Sequence, residues 1–75
     1  MSNKKTIDIQ KITNPFEKDI LKLLEEKEKY VYGDIIKDLK LSATKGQESI
    51  LSLIKRGFIK HVDQSSYLKL NVNIK

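Results

Sequence analysis

Within the stretch SATKGQESILSLIKRGFI, residues 42 to 59, side chains able to make directed hydrogen bonds crowd the first half: Ser42, Thr44, Lys45, Gln47, Glu48, Ser49 and Ser52, with Lys55 after them. A hydroxyl, an ammonium, an amide and a carboxylate at near-consecutive positions can donate to and accept from a surface laid against them. None is spaced with a base that would activate it as a nucleophile. Their chemistry is recognition rather than bond making. The chain has no cysteine and one histidine, His61, so thiolate chemistry is absent and even a mixed zinc site lacks ligands. No enzymatic activity, cofactor or small-molecule ligand is therefore expected. Lys60, His61 and Lys69 extend the polar set further along the chain.

The element that must carry the first group is a helix whose two ends are written in the sequence. Thr44 and Gln47 have capping-box spacing, and Ser42 is the rival cap, which puts the start near residue 43. Lys55 and Arg56 sit where the helix dipole favours cations. Gly57 can then turn left-handed, and Phe58 can fold back onto Leu53. Ile50, Leu53 and Ile54 share one face, so the rear of the helix is anchored and its polar front is presented.

The chain before this helix supplies its support. Residues 1–14 hold Ile7 and Ile9 in alternation and Ile12 out of phase, which fits a mobile tail better than a strand. If ordered, those isoleucines must cover a second subunit or the open side of a small core. Asn14 as cap, Pro15 at the first helical position, and Glu17 and Asp19 in the first turn open a helix through FEKDILKLLEEKEK. Its core positions are Phe16, Ile20, Leu23 and Leu24, with Leu21 at the margin, and the charged run at residues 25 to 29 is a solvated face. Tyr30-Val31-Tyr32, ended by Gly33, can form one arm of a small sheet. Asp34 then begins DIIKDLKL, about two helical turns, and only two to four residues connect it to the capped helix. Gly46, early in that helix, implies close approach, either to the helix from residue 34 or to a partner's backbone. After Phe58 the hydrophobic period shortens to about two. FIKHV and YLKLNV flank Asp63-Gln64-Ser65-Ser66, a hairpin with a four-residue loop in which Tyr67, Leu68 and Leu70 compete for the inner face. Residues 73–75 are expected to fray.

Seventy-five residues make one domain with one core, burying only about 60% of the unfolded chain's surface, so dimerisation would help it. No apolar run approaches the roughly 20 residues that span a bilayer, and MSNKKTIDIQK lacks the apolar core of a signal peptide. The expected location is cytoplasmic, without membrane association. The net charge of +5 divides unevenly: residues 1–14 carry +2, residues 15–41 carry −1 and residues 42–75 carry +4. The positive field of the C-terminal half favours a polyanionic partner.

The assembled order is helix, short strand, helix, tight turn, capped helix, hairpin. It resembles the winged helix-turn-helix family over residues 15–72. The most specific piece is ILSLIKRGFIKHV with YLKL: Leu53, Gly57, Phe58 and Ile59 are similar to the junction by which such domains leave their recognition helix and enter the wing. The resemblance implies an α+β, mostly helical fold, three helices plus a C-terminal β-hairpin wing. It further implies a small sequence-specific double-stranded DNA-binding protein, a homodimeric transcription regulator. A B-DNA major groove admits a helix front of this kind. Lys45 can reach guanine, Gln47 suits adenine, and Glu48 can accept from cytosine or hold a neighbouring lysine. Ser42, Ser49, Ser52 and Lys55, with Lys60, His61 and Lys69 on the hairpin, are expected to contact phosphate, and Thr44 lies among the base-facing residues. One departure is the wing tip, which carries Asp63 and Ser65-Ser66 where many members are basic. The other expectation is a winged-helix protein-interaction module without DNA binding.

Overall fold

In the computed structural model, which describes residues 4–75, Asn14 starts the first long element as its type dictates. Its Oδ1 accepts from the N–H groups of Phe16 (2.9 Å) and Glu17 (3.4 Å), and Pro15 opens α1, Pro15–Lys27. The buried stripe of α1 is Glu17, Ile20, Leu21 and Leu24, rotated from the expected one: Leu21 is fully buried, whereas Phe16 and Leu23 are half-buried. The cause is Glu17. It is only 6% exposed and accepts from the guanidinium of Arg56 at the far end of the third helix. A carboxylate so paired can occupy a core-facing position, and the stripe follows it at i+3, i+4 and i+7.

Glu28, at φ 67, breaks the chain out of α1 and into β2, Lys29–Val31. The second helix, α2, begins at Tyr32, two residues before Asp34, and ends at Asp38 rather than running to Leu41. Its stop is a Schellman turn: Leu41 N–H donates to the Ile36 carbonyl (3.0 Å), Lys40 N–H donates to Lys37 (3.2 Å), and Lys40 takes the left-handed position at φ 54. Four residues then lead to α3, Ala43–Lys55. Its stop follows the sequence expectation. Gly57 lies at φ 79, Phe58 N–H donates to Leu53 and Gly57 N–H to Ile54, both at 2.9 Å.

The hairpin is β3, Ile59–His61, and β4, Tyr67–Leu70, joined by residues 63–66, with Val62 N–H donating to Tyr67 (2.9 Å) to close the ladder. With β2 it forms a three-stranded antiparallel sheet in the order β2-β4-β3. The register Ile59↔Leu70, Lys60↔Lys69 and His61↔Leu68 resolves the strand phase. Leu68 and Ile59 point at the helices and are buried, and Tyr67 points outward. The whole is an α+β fold with three helices, about half helical rather than mostly so.

The two ends of the chain differ from expectation. Lys5–Ile7 forms β1 and pairs in parallel with β5, Val72–Ile74, so neither the mobile tail over residues 4–14 nor the frayed end over residues 73–75 is present. Residues 1–3 of that tail lie outside the described residues. A short 3-10 turn, Ile9–Lys11, capped by Asp8, follows β1 and delivers Ile12 to the core. Ile7 and Ile12 are buried against the chain's own residues, so the surface they cover is the open side of this core. Ile20, Leu24, Ile35, Ile50, Leu53 and Leu68 are its fully buried centre.

Candidate nucleic-acid interface

Of the two candidate caps for α3, Ser42 is the one used. Its Oγ accepts from Lys45 N–H (3.1 Å), and its carbonyl accepts the first helical bond from Gly46 (2.8 Å). Thr44 therefore lies inside the first turn, and Gln47 is free of any capping box; both side chains are exposed. The rear of the helix is held hard. Ile50 and Leu53 are fully buried, and a Cβ at Gly46 would stand 2.7 Å from Ile36 Cγ1 and 3.0 Å from Cδ1. Of the two close approaches the sequence allowed for Gly46, the one to α2 is realised.

Thr44, Lys45, Gln47, Glu48 and Lys55 are exposed, and Ser52 is half-buried. Lys45 Nζ lies 3.9 Å from Glu48 Oε1, with both side chains mostly in water. At that exposure the pair is worth about 0.3–0.5 kcal/mol and leaves either group available to a ligand. Ser49 departs from its expected role: at 4% exposure it is turned under α1 and cannot meet phosphate. The reason is angular. Ser49 is three residues from both Gly46 and Ser52, on the flank that closes against the Asn14–Glu17 turn.

The hairpin candidates divide between two faces. Lys60 and Lys69 are register partners on the outward face, whereas His61, though exposed, pairs with Leu68 on the opposite face. The structure thus brings together Thr44, Lys45, Gln47, Glu48 and Lys55 on one helix, and separately Lys60 with Lys69 on the sheet.

Two residues were missed by sequence reasoning. Leu51 is 53% exposed and lies on the presented stripe of α3, four residues after Gln47 and seven after Thr44. A helical projection of α3 contains that signal. Lys29 is the other; β2–β4 pairing sets it directly opposite Lys69, and nothing local in the charged run 25–29 marks it.

The scaffold beneath the interface is braced by polar contacts as well as by packing. Tyr30 Oη donates to Asp38 Oδ2 at 2.5 Å, tying β2 to the end of α2. That hydrogen bond, followed by desolvation and the charges of Asp38 and Asp34, holds the Tyr30 hydroxyl above the ordinary tyrosine range. Arg56, bound to Glu17 and lying over the Phe58 ring at 5.0 Å, braces α3 to α1 and is not part of the presented set. Among the described residues no group of three or more His, Cys, Asp or Glu gathers as metal ligands, and no helix is long and apolar enough to cross a membrane. Compared with known protein families, with curated proteins and with solved structures, the chain gives no match.

Proposed function

We propose that this chain is a winged helix-turn-helix protein that binds double-stranded DNA through α3, acting as a cytoplasmic transcription regulator and as a homodimer. The observation that carries the reading is α3 itself, fully buried along Ile50 and Leu53 and exposed along Thr44, Lys45, Gln47 and Glu48. The order α1, β2, α2, α3, β3, β4 and the sheet order β2-β4-β3 support it, as does the +4 charge of residues 42–75. In the major groove Lys45 faces guanine and Gln47 faces adenine, with Ser42, Ser52 and Lys55 on the flanking phosphates. One helix gives few base contacts, and a second subunit doubles the site.

The test is binding to a pool of duplexes before and after Lys45→Ala with Gln47→Ala. The wild type should select a sequence and lose affinity steeply with salt, and the double variant should keep its fold and lose selection. Unchanged selection removes α3 as the reader. A protein-interaction module is the second reading, and exposed Leu51 at the centre of the presented stripe favours it. Absence of binding to any duplex at low salt would decide for it.

A further inference from the structure

The sheet's outward face carries two cross-strand rows that no single stretch of sequence contains. Register places Lys29, Lys69 and Lys60 side by side across β2, β4 and β3, and sets Val31, Tyr67 and Val62 side by side two residues further along. Tyr67 is 42% exposed and Lys29 Nζ lies over its ring at 5.4 Å. Like charges directly opposite on neighbouring strands destabilise a sheet, and this face holds two such contacts. Among the described residues the ion pairs are Lys45–Glu48 and Arg56–Glu17, so none of the three ammoniums makes an ion pair there. Glu25 and Glu28 border the depression beside Lys29 and Lys69 without pairing, and bound the face on that side.

We propose that this face binds single-stranded nucleic acid, with phosphates along the lysine row and bases on the apolar row centred on Tyr67. The rows are about 6.6 Å apart, two residues along a strand, so one strand of nucleic acid can lie along the first with its bases directed to the second. Duplex DNA keeps its bases stacked inside and gives Tyr67 nothing to stack on; a single strand does. The charge of the row selects an anion, and the aromatic centre selects one with exposed π faces. This surface is separate from the helical front of α3, and the proposal holds whether or not α3 reads a duplex.

The experiment is fluorescence anisotropy of a short labelled oligo(dT) at low and rising salt, with an unlabelled blunt duplex as competitor. The wild type should bind, and Lys29→Gln with Lys60→Gln and Lys69→Gln should flatten the log–log salt slope by about 2, three phosphates at roughly 0.7 each. Tyr67→Ala should weaken binding about 5- to 150-fold, and Tyr67→Phe, which keeps the ring, should stay near wild type. Lys45→Ala with Gln47→Ala should leave oligo(dT) binding unchanged, which separates this face from the α3 reading. If the triple variant fails to fold, Lys60→Gln alone, on the edge strand, should still lower the slope by about 0.7. No binding of oligo(dT) at low salt overturns the proposal. So does binding that the lysine and Tyr67 substitutions leave intact, or that the duplex abolishes together with the α3 substitutions.

Discussion

Gly46→Ala separates helix propensity from packing, because the two effects have opposite signs at this position. In an unobstructed helix interior the change stabilises by about 1 kcal/mol. Here the added Cβ would stand 2.7 Å from Ile36 Cγ1 and 3.0 Å from Cδ1, against an optimum near 3.5–4.0 Å for carbon pairs. Ile36 is β-branched and on α2, so its Cγ1 has one strongly preferred rotamer, and relief comes from separating the helices. Overpacking of this kind costs about 1–3 kcal/mol. The net is a destabilisation of about 0–2 kcal/mol; at the middle of that range the melting temperature falls by about 4–8 °C in a domain of this size. Circular dichroism melts of wild type, Gly46→Ala, Ile36→Ala and the double variant make a complete cycle. With Ile36 cut back the clash is gone and the propensity gain returns, so the coupling should be about 1–3 kcal/mol, well beyond the 0.3–0.5 kcal/mol of independent sites. Additive effects, or a Gly46→Ala protein that is about 1 kcal/mol more stable, would refute the claim that α2 and α3 are seated on this glycine. On the proposed duplex-binding reading, the same substitution, by shifting α3 on α2, should weaken duplex selection more than total affinity.

Three further expectations concern the scaffold. Arg56→Ala leaves Glu17 buried and unpaired; because the arginine side chain is 44% exposed, the loss should fall at about 1–3 kcal/mol, below a fully buried pair, and Glu17→Gln should recover part of it in chemical denaturation. Lys40→Gly should stabilise by about 1 kcal/mol in the same assay, because Lys40 holds a left-handed conformation that glycine adopts without strain. The Tyr30 hydroxyl is held above the ordinary tyrosine value of 10.0, so its bond to Asp38 contributes fully below pH 10 and is lost as pH rises through the raised value. Ultraviolet titration should show a high-pH tyrosinate component that is missing in Tyr30→Phe.

Local chemistry carried much of the fold. Asn14-Pro15 marks the start of α1 because its residue types act on their immediate neighbours, and Gly57 marks the end of α3 for the same reason. The tight α2–α3 connection and the four-residue hairpin loop were legible on equal terms. Features decided at a distance were not. Glu17 reads as an ordinary first-turn acid until Arg56 arrives from the end of α3. The end of α2 is marked by a lysine doing what glycine usually does, so no composition signal exists. Strand phase in the hairpin rests on one residue of register, and Lys29 joins Lys69 only once β2 has paired. For the candidate interface, the helical front was readable and the angular fate of Ser49 was not. That serine lies on the same 3.6-residue spiral as its exposed neighbours and differs from them only in what packs beside it.

The parallel pairing of β1 with β5 has a consequence for how the molecule is made. Lys5 meets Val72 and Ile7 meets Ile74, so β1 has no mate until the three helices and the hairpin that lie between the two strands have been made. Ile7 and Ile12 remain in water during that interval, while α1 to α3 and the hairpin can already assemble from nearer neighbours. The closing step is a clasp fastened by β1 and β5 together, and a nascent chain stalled before Val72 would carry an unsealed hydrophobic flank that chaperones or proteases could seize.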